Sequence, residues 1–172
     1  MQPDPAKLDA FMGKMLTDMG AAASAALILI GDRLGLYKAL AAIGPATPKA
    51  VADKTGTAER YVREWLAAQA AAGYAQYMPE NGTYAMTPEQ ATALADESSP
   101  AFVAGAFDVL QAMFLDEPKI TAAFKSGKGV GWHEHSTCLF RGTERFFRPG
   151  YVANLVQSWL PALDGVVAKL QR

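Results

Sequence analysis

The densest chemistry in the chain lies in the stretch Trp132-His133-Glu134-His135-Ser136-Thr137-Cys138, which holds both histidines and the sole cysteine. Imidazole and thiolate are metal ligands, and His133, His135 and Cys138 would supply three. Their spacing fits no standard zinc pattern and nothing nearby offers a fourth ligand, so no metal site is expected. A Cys–His nucleophile needs a third group to orient it and a protected cleft, and neither is legible here. A histidine that acts as general base, or accepts a hydrogen bond from a substrate, asks for less, because imidazole titrates near neutral pH. His133 and His135 are therefore the candidate catalytic residues. The plainer alternative is a solvated or structurally bonded pair beside a core Trp132.

Two flanking segments carry weaker signals. Gly127-Lys128-Gly129-Val130-Gly131 looks like a phosphate loop, but such a loop needs a strand before it and a helix N-terminus after it. Residues Ile120 to Phe124 read as helix, so a turn is expected and no cofactor-binding residue is assigned. Arg141, Arg145 and Arg148 recur near helical spacing, with Glu144 between them and Phe146 and Phe147 beside them. That composition suits an anionic or aromatic ligand. It reads better as a solvated helix edge whose arginines pair with acids across a domain boundary.

Composition bounds the rest. A chain of 172 residues can build one domain with a real core, or one domain plus a helical extension. With 51% apolar and 19% charged residues it belongs with folded proteins. A net charge of −1 gives no electrostatic footprint for nucleic acid. One cysteine excludes an intramolecular disulfide. Residues 1–7 lack the basic and apolar regions of a signal peptide. The uncharged apolar run Met19 to Gly31 is thirteen residues, too short for a spanning helix. A cytoplasmic protein with no membrane partner is the expectation.

The elements that must position these residues follow from periodicity. Residues 7–42 read as one helix, with Leu8, Phe11, Met12, Met15, Leu16 and Met19 on one face. From Ala21 to Ile30 it is apolar all round, which predicts burial on every side, partly by a second subunit. Thr47-Pro48 starts a short helix that ends at Gly56. Thr57 is the expected cap of the next helix, which runs to about Ala72 and carries Val62, Trp65, Leu66 and Gln69 inward. Asn81-Gly82 between aromatic runs predicts a hairpin, and Thr87-Pro88 caps a further helix to about Ala95. Residues 45–96 are thus a winged helix-turn-helix. They hold four basic and six acidic residues, with Glu80 at the wing tip. Phosphate binding needs clustered cations, so no nucleic-acid partner is expected. After a connector at 96–100, helices are expected at 101–115 and 117–126. A partly looped stretch over 127–148 follows, then a helix over 149–170 bent at Pro161. The fold class is mainly α, a winged helix with a small β-hairpin, flanked by N- and C-terminal helices.

An ordered series of segments resembles the N-terminal region of a family of class I S-adenosylmethionine-dependent methyltransferases. It comprises Gly31-Asp-Arg-Leu-Gly-Leu-Tyr-Lys-Ala-Leu40, Thr47-Pro-Lys-Ala-Val-Ala-Asp-Lys-Thr-Gly56, Arg60-Tyr-Val-Arg-Glu-Trp-Leu66 with Gly73-Tyr74, Trp132-His133 and Trp159-Leu-Pro-Ala-Leu-Asp-Gly165. The resemblance implies that residues 1–96 are homodimerising helices plus a winged helix. Residues 97–172 would be a helical substrate cap leading toward a Rossmann-like catalytic domain. It also implies that S-adenosylmethionine binds in that following domain, on an acidic-Gly-x-Gly-x-Gly loop that these residues do not contain. The chain would then not be catalytic by itself. His133 or His135 would deprotonate or orient the nucleophile of a small-molecule substrate, and Phe102, Trp132 and Phe146 would pack against it. The alternatives are a winged-helix DNA-binding regulator and a protein that sequesters a small molecule without chemistry.

Overall fold

The side chain of Asp4 accepts hydrogen bonds from the amides of Ala6 and Lys7 and opens the long helix α1 (Pro5–Arg33). In the computed structural model, which describes residues 2–172, α1 is followed by α2 (Leu36–Ile43). The single helix expected over 7–42 is therefore two. Gly35 adopts φ 68°, a left-handed conformation that breaks the helical ladder and folds α2 back toward α1. The return is tight because Gly31 has no side chain. A Cβ there would stand 2.8 Å from Tyr37 Cε2 and collide with the Trp65 indole.

α3 (Pro48–Thr55) and α4 (Glu59–Ala71) form the helix-turn-helix. Thr47 accepts from the Ala50 amide at 3.3 Å and Gly56 closes α3 in the left-handed region, as expected. Thr57 does not cap α4. Its hydroxyl is bonded to Thr55, and Ala58 takes the cap position without a side-chain bond. α4 turns Val62, Trp65, Leu66 and Gln69 inward onto Ile28, Tyr37 and Leu40. The Trp65 indole donates to the Leu27 carbonyl at 2.8 Å and meets Tyr37 edge-on at 4.9 Å. The Tyr37 hydroxyl donates to Gln69 Oε1, and burial pushes its pKa well up, so it stays a donor.

The wing is β1 (Gln76–Met78) paired antiparallel with β2 (Thr83–Ala85), Tyr77 lying opposite Tyr84. Asn81 accepts from the Thr83 amide, and Gly82 takes φ 65° in the connecting turn. Ala46 bridges Tyr84 on the other edge, exchanging both backbone bonds. α5 (Pro88–Leu94) starts with a capping box between Thr87 and Gln90.

The second half departs further from expectation. α6 (Ala104–Ser126) runs unbroken through Pro118, where two helices were expected. Pro118 lies on an exposed stretch, so water can satisfy the Phe114 carbonyl that loses its amide partner. Residues 132–134 form one 3₁₀ turn. α7 (Thr137–Asn154) occupies most of the stretch expected as loop, and passes through Pro149. The chain then takes a π-turn (Leu155–Trp159), and α8 (Val166–Leu170) follows a turn that contains Pro161. Pro161 thus ends a helix instead of bending one.

α6 and α7 cross at two glycines. A Cβ on Gly142 would stand 2.7 Å from Val109 N, and one on Gly105 2.8 Å from Phe146 N. α1 is buried on one side only: Ala25, Ile28 and Leu29 are covered, whereas Phe11, Leu16, Met19 and Ile30 are exposed. Burial on every side is therefore not met within one chain. By length and composition alone α1 is apolar enough to cross a membrane, because the helix extends well beyond the uncharged run. Its C-terminal third is instead built into the winged-helix core through Ile28 and Gly31.

Gly142→Ala should lower unfolding free energy by about 1–3 kcal/mol, because the added methyl meets backbone that cannot move aside. Gly150→Ala, on the same helix with open space around it, should be neutral or slightly stabilising. Chemical denaturation of the two variants checks the contrast.

Candidate functional site

α6 presents a stripe of three buried residues at four-residue spacing, Asp108, Ala112 and Asp116. A buried carboxylate must find partners, and the two aspartates find different ones.

Asp116, 3% exposed, receives the N-terminal end of α7. The Ser136 amide donates to both of its oxygens at 3.0 Å, and the Ser136 hydroxyl adds a bond of 3.2 Å. His135 Nδ1 lies 2.9 Å from Oδ2, and Lys119 Nζ 3.2 Å from Oδ1. Lys119 also donates to the Glu134 carbonyl. The Ser136 amide, against the opposing effect of burial and with help from His135 and Lys119, holds the Asp116 carboxyl well below the usual range. Asp116 thus caps α7 from a neighbouring helix, at the positive end of its dipole.

His135 also lines an open groove of about 540 Å³ beside α6, whose accessible walls are mostly apolar. Met113, Ile120, Phe124 and Leu139 supply the apolar wall, with Thr121 and Lys125 at its rim. Trp132 stacks edge-on against His135 at 6.0 Å and Phe140 at 5.2 Å. It is 61% exposed, so the expected core tryptophan is a surface one.

Asp108, 1% exposed, sits at the far end of the stripe among three arginines. Arg141 reaches Oδ1 at 2.5 Å, Arg33 the same oxygen at 2.9 Å, and Arg145 Oδ2 at 3.3 Å. Burial pushes the Asp108 carboxyl up, but the hydrogen bonds from Arg141 and Arg33 outweigh it and hold the group below its ordinary value. Arg145 also grips Asp32 at 2.6 and 3.0 Å and Glu97 at 3.3 Å, and its pKa is raised above the ordinary arginine value, by the Asp32 bond first. Arg141 and Arg145 are thus paired with acids on distant segments, while Arg148 pairs with Glu144 along α7.

The site candidates scatter. His135 and Trp132 come together at the groove; His133 is exposed beside Gly131 on the same 3₁₀ turn. Phe102 is buried under the Arg145 guanidinium, 5.5 Å from its ring centre, and Phe146 stacks on Phe147 on α7. Cys138 is buried and donates weakly to the Ser136 hydroxyl. Among the described residues no three His, Cys, Asp or Glu side chains converge as metal ligands. The glycine loop does not form a nucleotide cradle. Gly127 closes the carbonyl end of α6, and the Gly131 amide is bonded to the Glu134 carboxylate at 2.6 Å. Asp116 was not legible as a site residue: it lies nineteen positions from His135 in an apolar helical stretch.

Residues 22–96 match the family described as Rv2258c-like winged HTH domain. Comparison with curated proteins finds no match. Among solved structures, the chain is similar to the mitomycin 7-O-methyltransferase MmcR, with a TM-score of 0.66 and 21% identity over 87% of this chain and 47% of that one. An O-methyltransferase family protein from Burkholderia thailandensis gives 0.61 and 14%, covering 89% of this chain and 44% of its own. Human N-acetylserotonin methyltransferase, solved with its S-adenosylmethionine, gives 0.59 and 18%, covering 95% of this chain and 50% of its own. The chain is a winged HTH domain with flanking helices, carries a fold shared with part of these methyltransferases, and spans about half of their length.

Two substitutions test the stripe. Removing the Asp108 carboxylate in Asp108→Ala should cost about 2–3 kcal/mol, less than a fully buried pair because Arg33 and Arg141 stay half-exposed. Asp116 gives a pH signature. A carboxyl held below its unfolded value of about 3.9 stabilises the fold above that pH and loses this contribution as pH falls further. Asp116→Asn should therefore be less stable than the wild type near neutral pH and should lose stability along a flatter curve in acid, the gap closing as pH falls below about 4.

Proposed function

We propose that this chain is the dimerisation and substrate-binding region of an S-adenosylmethionine-dependent methyltransferase, and that it does not transfer methyl groups by itself. The observation that carries this reading is the extent of the structural overlap. It takes in α6 and α7 as well as the winged helix, which a helix-turn-helix shared with regulators would not require. The methyl donor is held outside these residues, since the one glycine-rich loop offers helix carbonyls and an already bonded amide.

The apolar face of α1, with Phe11, Leu16 and Met19 uncovered, supports a homodimer in which a second copy of α1 packs against it. The apolar groove beside His135 supports a small, largely apolar substrate, with His135 or His133 orienting or deprotonating its nucleophile and Trp132 packing nearby. The regulator alternative is disfavoured by α4. Arg60 pairs with Glu64 and Arg63 with Glu59, so the helix offers phosphate no uncommitted cation.

Sedimentation and calorimetry test the reading. The chain should sediment as a dimer, and the paired substitution Leu16→Glu and Met19→Glu should shift it to monomer, since two carboxylates cannot be buried there unpaired. S-adenosylmethionine should give no heat with residues 1–172. A monomeric wild type, or donor binding by residues 1–172 alone, would overturn the proposal.

A further inference from the structure

Resting on the homodimer reading above, we infer that Met12, Met15 and Met19 form an oxidation-sensitive site on α1, at which a peroxide converts the dimer-forming chain into a folded monomer.

The three thioethers follow one another at spacings of three and four residues. At 3.6 residues per turn they fall within an arc of about 60° on one face of α1, with Leu8 among them and Phe11 and Leu16 on either side. They thus occupy the centre of the apolar face, where a second copy of α1 buries side chains most deeply. In the single chain they are open: Met12 is 49% exposed, Met15 41% and Met19 62%. Every residue from 2 to 23 is exposed, so this part of α1 stands clear of its own chain. Sulfur elsewhere is mostly less open. Cys138 is buried, Met78 and Met86 are half-buried, and Met113 on α6 is the other exposed thioether among the described residues.

A thioether lone pair attacks one oxygen of a hydroperoxide. The S–O bond forms as the O–O bond breaks, and the sulfur gives up two electrons. The proton of the attacked oxygen passes to the other, which leaves as water or an alcohol. The product is a sulfoxide, a polar acceptor on what was an apolar side chain. On the lone helix water solvates it, and the core is untouched, because the buried part of α1 begins at Ala25. In the dimer it meets a copy of its own face, whose thioethers, Leu8, Phe11 and Leu16 have no hydrogen to donate. A two-fold contact places each sulfoxide there twice. One site oxidised in both copies should weaken the dimer about a hundredfold, about tenfold for each unpartnered polar group. Oxidation proceeds from the dissociated chain, where the sulfurs are open, and the oxidised chain does not reassociate.

The test treats residues 1–172 with hydrogen peroxide and reads sedimentation, circular dichroism and peptide masses. Sulfoxide should form at Met12, Met15 and Met19 more slowly as protein concentration rises and the dimer covers them. The oxidised chain should sediment as a monomer with its helix content kept. The two methionine sulfoxide reductases, one for each epimer, with a thiol reductant should restore the dimer. The triple variant Met12→Leu, Met15→Leu, Met19→Leu conserves volume and apolarity. It should dimerise and stay dimeric after the same treatment, which removes Met78, Met86 and Met113 as causes. A dimer that persists with all three sites oxidised, dissociation of the triple variant by peroxide, loss of helix content on oxidation, or no recovery with the reductases would each overturn the inference while leaving the dimer reading intact. A chain that is monomeric before treatment overturns the dimer reading itself and this site with it, so the two failures are distinct.

Discussion

Two buried carboxylates on one stripe of α6 fix where α7 lies. Asp108 and Asp116 are eight residues apart, close to two helical turns, and each needs partners that α6 itself cannot give. Asp116 takes the amide end of α7 and Asp108 takes the arginines in its middle. Between them the glycine crossing at Gly105 and Gly142 brings the helix backbones together. A slip of α7 by one residue would strand both charges and drive a side chain into the crossing. Apolar packing alone tolerates such slips more readily, so the carboxylates supply the register.

The same register carries the winged helix. Arg145 joins Asp108 on α6 to Asp32 at the end of α1 and to Glu97 in the connector, with Phe102 beneath its guanidinium. Lys38 on α2 closes the chain of charges onto Glu97. One side chain therefore links the two halves of the molecule. Arg145, expected on a helix edge paired with acids across a domain boundary, is an internal tie, and the ring of Phe102, offered as a substrate contact, lies beneath its guanidinium.

What was legible in the sequence divides along this line. The winged helix could be read because its signals are local: Thr47-Pro48, Gly56, Asn81-Gly82 and Thr87-Pro88 each act within four residues. The helical pair could not be read, because its determinants are long-range. Pro118 and Pro149 look like helix breaks until exposure or packing is known, and Gly142 looks like a weak helix residue until the crossing is seen. His135 and Trp132, which meet at the groove, were singled out by residue type. Asp116 was missed because an acid in an apolar helical stretch reads as one solvated position. An aspartate recurring eight residues after another on the inward stripe was the available signal, and it needed the period of the whole helix to be trusted through Pro118.

The winged helix by itself argues for nothing about function, since its recognition helix has spent its charges on its own surface. Chemistry in this chain concentrates instead where α6 meets the start of α7. There a helix N-terminus, a low-pKa carboxylate and an imidazole are held in one rigid unit, and an apolar wall beside them is left wet. Rigid polar groups next to uncovered apolar surface are the two ingredients of a small-molecule site: the first fixes orientation, and the second supplies the gain on leaving water. On α1 the uncovered apolar face has no such polar group converging on it, and a long flat helix face suits another helix better than a small ligand. These two exposed apolar regions thus differ in the polar groups beside them, and the difference lies in Asp116 and His135.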